Sequence, residues 1–161
     1  MAWSHKNEEV RRLHLRRRQI EVWKGRLSSA STRSGVRVAG AIRPVLREWT
    51  ERRRFGLLTL RLVQVLTGHG CFGEYLHRIG REPTTVCHHC GAPMDSAEHT
   101  LLECPAWEGA RRVLTDALGL LEDGEELSLG SIVLAMLSGT DKWEAATSFC
   151  KEVISRKEDA E

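Results

Sequence analysis

Four residues near the middle of the chain have the types and the spacing of metal ligands. Cys87, Cys90, His99 and Cys104 form the pattern C-x2-C-x8-H-x4-C. Cysteine thiolates and histidine imidazoles are ligands that tetrahedral Zn²⁺ prefers, and two intervening residues let one tight turn present both sulfurs to one ion. Four protein ligands also leave no coordination position open for an activated water. The pattern therefore predicts one structural zinc ion and argues against a catalytic one.

Two other interpretations of the cysteine pattern stay open at this point. A C-x2-C pair can be a redox pair, but that chemistry needs a strand followed by a helix, and no such unit precedes Cys87. His88 or His89 could replace a cysteine as a ligand, although the turn geometry favours sulfur at both of its ends. Both histidines are otherwise candidates for contact with phosphates or bases, or are simply exposed to solvent.

Length and composition indicate a small globular protein that a metal would help to stabilise. The chain has 161 residues, of which 41% are hydrophobic and 29% are charged. A core of that size is modest, and small domains commonly use a bound metal for stability. The N-terminus lacks the apolar stretch of a signal peptide, and no run is long enough to span a membrane. Together with the odd number of cysteines, this predicts an intracellular protein with metal-bound thiolates and no disulfide framework.

Charge is distributed very unevenly along the chain. Residues 1–61 contain 16 Lys and Arg but 5 Asp and Glu, whereas residues 62–161 contain 8 and 17. Arginine clusters of this kind are typical of surfaces that bind nucleic acid. The alternative is that the two oppositely charged parts neutralise each other. The candidate nucleic-acid-binding residues are Arg11, Arg12, Arg16, Arg17, Arg18, Arg52, Arg53, Arg54, Arg78, Arg81, His88 and His89.

Apolar periodicity predicts helices before the cysteine pattern. A basic amphipathic helix is expected over 7–27, with its apolar face at Val10, Leu13, Ile20, Trp23 and Leu27. Residues 28–35 are rich in serine and read as a flexible linker. Pro44 is expected to open a helix that ends near Arg52, and the apolar run 57–66 fits a helix better than a strand. A further helix over 72–79 is expected to stop at Gly80.

The second half of the chain continues the helical pattern. Ser96 is placed to cap a short helix that carries His99. Three apolar stripes follow, and an acidic loop at 122–126 separates the first from the other two. The tryptophans at positions 23, 49, 107 and 143 are expected to be core residues. The predicted fold class is mainly α: a small helical domain built around a single Cys-Cys-His-Cys zinc knuckle. We divide it into a basic helix and linker (1–35), a helical segment (36–82), the knuckle (83–105) and acidic C-terminal helices (106–161).

Catalytic constellations are not visible in the sequence. The only tyrosine, Tyr75, is followed by Leu76 and His77, so the chain has no Tyr-x-Asp-Asp polymerase motif. The five acids of residues 1–61 are too few and too scattered for a two-metal nuclease centre. A glycine-rich phosphate loop is also missing. The chain by itself is therefore interpreted as a binding module, and whether it belongs to an enzyme stays open.

Motifs around the ligands carry a family resemblance. They are Leu66-Thr67-Gly68-His69-Gly70-Cys71-Phe72, Tyr75-Leu76-His77-Arg78-Ile79-Gly80, Cys87-x-x-Cys90-Gly91 and Ala97-Glu98-His99-x4-Cys104-Pro105. Together they resemble the C-terminal end of the Pol polyprotein of insect non-LTR (LINE-type) retrotransposons, especially the clade that inserts into ribosomal DNA. Ile42-Arg43-Pro44 and Arg52-Arg53 are similar to the segment that joins the polymerase to that end. The resemblance covers about residues 36–160.

The resemblance implies a function in retrotransposition. In that family the polyprotein combines an endonuclease, a reverse transcriptase and this cysteine–histidine region, which is regarded as a nucleic-acid-binding element in target-primed reverse transcription. By resemblance, Cys87, Cys90, His99 and Cys104 are its zinc ligands, RNA or the RNA–DNA intermediate and the polymerase domain are its partners, and it works in the nucleus. This sequence has neither the endonuclease nor the polymerase, so those activities are not assigned to it.

The cysteine–histidine pattern differs from that of retroviral nucleocapsid knuckles, and two alternative functions stay open. Retroviral nucleocapsid knuckles have a shorter loop before their histidine and an aromatic residue where His88 stands, so phosphate contacts from Arg78, Arg81, Arg111 and the N-terminal arginines are expected here in preference to base stacking on the knuckle. One alternative is a zinc-stabilised structural or protein-interaction module. The other is a truncated remnant without function.

Overall fold

The computed structural model describes residues 2–29, 31, 33–120 and 126–160, and the side chains of residues 2–6, 33 and 34 are not described. Within these ranges the chain forms α-helices and no β-strand. The helices are α1 (Ala2–Ser28), α2 (Arg33–Ile42), α3 (Leu46–Thr50), α4 (Leu60–Thr67), α5 (Gly73–Arg78), α6 (Glu108–Leu118), α7 (Leu129–Met136) and α8 (Thr140–Glu158). Short 3-10 helices lie at Arg43–Val45, Arg52–Arg54 and Pro105–Trp107, and a π-helix at His99–Glu103. The predicted mainly helical fold class is confirmed.

The helix α8 is the element against which three of the other helices pack. It contacts α4, α6 and α7. Its apolar residues recur every three or four positions, so that they line one face, and that face is buried; they are Trp143, Ala146, Phe149, Cys150, Val153 and Ile154. Burying a large apolar side chain contributes about 1.5–3 kcal/mol, so this face is a main source of stability. The predicted apolar stripe of the last helix is confirmed.

Caps set the ends of the shorter helices. The apolar run that begins at Leu57 becomes helical only at Leu60, because the Thr59 hydroxyl accepts a hydrogen bond from the Leu62 N–H (3.3 Å) and acts as the N-cap. The helix interpretation is correct for α4, and Gly68 ends it with a positive φ of 70°. Gly80 follows α5 with a φ of 73°, which fits its predicted role as the stop of that helix.

The predicted linker is wrong over part of its length. Residues 28–35 are expected to be flexible, yet α1 extends to Ser28 and α2 already begins at Arg33. Serine and glycine there do not prevent a helix, since α2 packs against α4 and α7 and tertiary contacts override weak propensity. Ala30 and Thr32 lie outside the described residues, as does most of the acidic loop expected at 122–126. The division into four segments stays a prediction.

The apolar face of α1 is largely uncovered. Ile20 and Leu27 pack against the core as predicted, but Val10 is 62% exposed and Trp23 is 48% exposed. The expectation that these four tryptophans are core residues therefore fails for Trp23, because the main contacts of α1 among the described residues are with α2, α3 and the 3-10 helix Arg43–Val45. Trp49, Trp107 and Trp143 are buried, as expected.

Candidate metal centre and basic surfaces

The four predicted ligands come together in the structure. One ligand atom from each of Cys87, Cys90, His99 and Cys104 lies within 4.8 Å of the others. The sulfurs of Cys87 and Cys104 are 4.0 Å apart, and Cys90 Sγ is 3.3 Å from His99 Nε2. Two sulfurs bound at about 2.3 Å to a tetrahedral ion lie roughly 3.8 Å apart, so the spacing fits one tetrahedral ion. The chain thus has a group of three cysteines and one histidine that could hold a metal ion.

A tight turn presents the first two sulfurs. The Gly91 N–H donates to the Cys87 carbonyl (2.8 Å), and the Cys87 N–H donates to the Ala92 carbonyl (2.8 Å). Gly91 has a φ of 76°, a conformation in which a side chain is strained, so glycine is required directly after Cys90. His88 and His89 lie inside this turn, and neither belongs to the ligand cluster. The structure thereby supports the two cysteines as the ligands of the turn.

A helical segment presents the other two ligands. The Ser96 hydroxyl accepts a hydrogen bond from the His99 N–H (3.0 Å), which is the predicted cap. The chain then continues as the π-helix, and Cys104 closes it by donating its N–H to the His99 carbonyl (2.7 Å). The Nδ1 atom of His99 lies 3.5 Å from a carboxylate oxygen of Glu103, so Nε2 is left to face the sulfurs. A carboxylate on the remote nitrogen is the usual support of a metal-binding imidazole.

The thiols of the cluster differ in acidity. Burial acts to raise the pKa of Cys90, but hydrogen bonds from the Ala92 N–H and from His99 outweigh it and lower that pKa to about 7. Burial is the main reason why the pKa of Cys104 rises to about 12, and it also raises the pKa of Cys87. Without a metal, the first thiolate therefore forms at Cys90, while the two fully buried thiols keep their protons.

This acidity predicts strong pH dependence of metal affinity. Binding at neutral pH must displace the protons of Cys87 and Cys104, since thiolates are the ligands. Releasing about two protons should tighten the dissociation constant for Zn²⁺ roughly 100-fold for each unit by which the pH rises. Chelator competition at several pH values measures the slope. A pH-independent constant would contradict binding through these thiols.

A buried ion pair joins the segment 87–104, which carries the four candidate ligands and is called the metal-binding loop below, to α8. Lys157 and Asp95 are only 2% and 3% exposed, and the ammonium lies 2.7 Å and 2.8 Å from the two carboxylate oxygens. Asp95 also accepts a hydrogen bond from the Gly73 N–H (3.0 Å) at the start of α5. Its backbone N–H donates to the Thr85 carbonyl (2.7 Å). The segment between Cys90 and His99 is thus held against two helices.

Sequence reasoning missed this pair. Lys157 lies three residues after Ile154, at the next position of the apolar stripe of α8. A charged residue on that buried face was the sequence feature that could have indicated a buried ion pair. Asp95 gave no such signal, because an acid in a loop is usually solvated. Sequence reasoning also missed Arg37, which donates to the carbonyls of Val65 (2.5 Å) and Leu66 (2.8 Å) near the end of α4.

The predicted nucleic-acid-binding residues fall into exposed and partly buried sets. The exposed set comprises Arg11, Arg12, Arg16, Arg17, Arg18, Arg53, Arg54, Arg78, Arg81 and His88. Arg12 forms an ion pair with Glu8 (3.0 Å), and His88 lies 3.8 Å from a Glu82 oxygen. Arg16 and Arg17 line one groove together with Arg47, whereas Arg78 lies next to Arg37 in a different groove. The structure therefore brings two of the α1 arginines to one surface and leaves Arg78 apart from them.

Three basic residues instead have structural contacts. Arg52 is half-buried, donates to the Trp49 carbonyl (3.0 Å) and stacks over the Trp49 ring. Arg111 donates to the Cys104 carbonyl (2.7 Å). The phosphate contact predicted for Arg111 would compete with this hydrogen bond. His89 is half-buried with its ring edge against Trp107 at 4.7 Å. These contacts make the three side chains less available to a ligand than exposed arginines are.

Comparisons with known proteins find homologues of this chain among the Pol polyproteins of R1 retrotransposable elements. No family model and no solved structure matches it. The retrovirus-related Pol polyprotein from type-1 retrotransposable element R1 of Bradysia coprophila is 34% identical over 145 residues, which is 89% of this chain and 13% of that protein. The polyprotein from element R1 4 of Nasonia vitripennis is 44% identical over 63 residues, 38% of this chain and 16% of that protein. The one from R1 of Popillia japonica is 41% identical over 69 residues, 41% of this chain and 28% of that protein.

The chain therefore spans only a small part of these relatives, 13% of the first. No helix among the described residues has the length and apolar character needed to cross a bilayer.

Proposed function

We propose that this chain, whose homologues are the Pol polyproteins of R1 non-LTR retrotransposons, is a zinc-dependent nucleic-acid-binding region of such a polyprotein. It would assist target-primed reverse transcription by binding RNA or DNA. The observation that carries the proposal is that one fold contains both a group of four residues that could enclose a metal ion and a helix with exposed arginines. A closed centre offers stability without an open site for chemistry, and the arginines supply the binding surface.

The metal ion would be Zn²⁺, held by Cys87, Cys90, His99 and Cys104, and its contribution would be to fold the loop. Two of the four ligands, Cys87 and Cys104, are fully buried in the hydrophobic core. Loss of the ion would leave buried thiols without their partner and loosen the loop from α8. Metal binding and folding are then one equilibrium.

Phosphate contact is the mechanism of binding that we propose for α1. Within the described part of the chain, Arg11, Arg16, Arg17 and Arg18 form no ion pair with an acid, so their guanidinium groups remain available. Arginine can donate to two phosphate oxygens at once, and each neutralised phosphate releases counterions. Binding of this kind is strong at low salt and depends little on sequence.

The remaining parts of the proposal concern the surroundings of the chain. Because the chain spans 13% of its first relative, a polymerase domain in the same polyprotein is the protein partner that we propose. Reverse transcription at a chromosomal target would place the protein in the nucleus. The alternative function is a zinc-stabilised structural or protein-interaction module, which the uncovered apolar side chains of α1 favour. A truncated remnant without function would bind neither partner.

Charge removal on α1 tests the proposal. Replacing Arg16 and Arg17 by Gln should weaken binding of a fluorescein-labelled single-stranded RNA and of a DNA duplex by similar factors, because phosphate contacts carry no sequence information. Each lost contact should also reduce the slope of log Kd against log salt, by about 0.9 on the duplex and about 0.7 on the single strand. Fluorescence anisotropy of the metal-loaded chain measures both quantities.

The matched control removes the same charge elsewhere. Arg112 and Lys151 are exposed on α6 and α8, and replacing both by Gln changes the net charge equally. We expect binding to change by less than about twofold, since screened charges distant from the site act weakly. Equal losses in both double variants would mean that net charge alone drives binding. A wild-type chain that binds neither nucleic acid would contradict the proposed function and favour the structural module.

A further inference from the structure

A groove between α1 and α3 combines apolar and basic side chains. Leu13, Ile20 and Trp23 form its apolar part, and they project from α1 at helical spacing. Arg16, Arg17 and Arg47 lie beside them in the same groove. We call this the α1–α3 groove; its volume is about 320 Å³, within the range of sites that hold small planar groups.

The charge of the groove is strongly one-sided. Glu51 is the single acid among its described lining residues, against the three arginines. Two acids of α1 outside the lining are paired with other cations, Glu21 with Lys24 (3.2 Å) and Glu8 with Arg12 (3.0 Å). In the described part of the chain, Arg16, Arg17 and Arg47 form no ion pair with an acid. The groove is therefore complementary to an anion.

Trp23 differs in solvent exposure from the three tryptophans that lie in the core. It is 48% exposed, whereas Trp49, Trp107 and Trp143 are 8% exposed or less. The guanidinium of Arg26 lies over its ring at 5.4 Å from the centroid. An exposed indole next to several arginines has an apolar face for stacking and cations within reach of a backbone.

We propose that the α1–α3 groove binds single-stranded nucleic acid, with a base stacked on Trp23 and the adjacent phosphates contacted by Arg16, Arg17 and Arg47. This inference rests on the proposed nucleic-acid-binding function and adds the location of the site and the strandedness of its ligand. An unpaired base exposes its aromatic face to Trp23, whereas a duplex hides the faces of its bases in the stack.

The groove suits this ligand better than an amphipathic protein helix. A helix docked in a groove needs a continuous apolar stripe that accepts anchors at i, i+3, i+4 and i+7. Here Arg16 and Arg17 interrupt the apolar side chains between Leu13 and Ile20. One exposed aromatic side chain with three arginines beside it instead offers a stacking face for one base and donors for the phosphates next to that base.

Substitution of Trp23 tests the inference on the metal-loaded full chain. The probes are a labelled single-stranded RNA of about 12 nucleotides and the same sequence in a duplex. Trp23→Ala should weaken single-strand binding about tenfold, in line with the loss of one stacked base, and leave duplex binding within about twofold. Trp23→Phe keeps an aromatic face and should retain most of the affinity. Because Trp23 is half exposed, unchanged melting temperatures are expected for both variants.

The outcomes separate this inference from the function on which it rests. If the wild type binds RNA through the arginines but Trp23→Ala binds the single strand as tightly, the groove inference is overturned and the proposed function stands. Equal affinity of the wild type for single strand and duplex overturns it as well. If the wild type binds no nucleic acid but binds an acidic amphipathic peptide in a Trp23-dependent manner, both are overturned and the groove is a protein-docking site.

Discussion

Replacing Cys87 by Ser is expected to abolish the metal centre and with it the cooperative fold around α8. Cys87 is fully buried, and its sulfur is 4.0 Å from that of Cys104. Binding of structural zinc contributes about 10–16 kcal/mol in small zinc domains. That amount is comparable to the whole free energy of unfolding of an ordinary domain, about 5–15 kcal/mol. Native mass spectrometry should show one ion per wild-type chain and none in the variant, and thermal melting should lose its sharp transition.

His88 offers a control in the same turn. It is exposed, adjacent to Cys87 and outside the ligand cluster. Replacing His88 by Ala should leave the metal content unchanged and the free energy of unfolding within about 0.5 kcal/mol of the wild type. If His88→Ala lost the ion while Cys87→Ser kept it, the histidine would be the ligand and the assignment of the turn would be wrong.

The second large effect is expected at the ion pair between α8 and the metal-binding loop. Replacing Lys157 by Met leaves the Asp95 carboxylate buried with only the Gly73 N–H and a 3.4 Å contact from the Thr100 hydroxyl. Removing one partner of a buried pair costs about 3–5 kcal/mol, because the remaining charge has lost its compensation. Urea unfolding of the metal-loaded protein measures the change.

Two further variants show whether that loss comes from the pair. Lys151→Met removes a lysine from the exposed side of the same helix and should change stability by less than about 0.5 kcal/mol. The double variant Asp95→Asn with Lys157→Met should be more stable than the sum of the single effects predicts, since no unpaired charge remains buried. Strict additivity, or a Lys157→Met variant as stable as the wild type, would mean that the pair contributes little.

The grouping of the four candidate ligands could be predicted from the sequence because its information is local. Ligand type and spacing define the site, and Ser96 and Gly91 supply a cap and a turn that depend only on neighbouring residues. The apolar stripe of α8 could be predicted as well, because a helix that buries one face repeats its apolar residues every three to four positions. In each of these cases the residues that interact are close in sequence.

The parts that could not be predicted depend on contacts between distant segments. Asp95 and Lys157 are 62 residues apart, and nothing in either neighbourhood indicates that they pair. The exposure of Trp23 also depends on contacts between distant segments. Its periodicity is that of a buried face, yet whether the face is covered depends on what α1 packs against. The sequence likewise predicts a phosphate contact for Arg111, but its guanidinium donates to the Cys104 carbonyl of the metal-binding loop.

The most direct measurement of the central claim is the salt dependence of RNA binding by the metal-loaded chain. If a closed metal centre shapes the fold while exposed arginines bind phosphates, log Kd should rise linearly with log salt, by about 0.7 for each phosphate contacted on a single strand. Contacts from Arg16, Arg17 and Arg47 alone predict a slope of about 2. A slope near zero, or no binding even at low salt, would contradict the account.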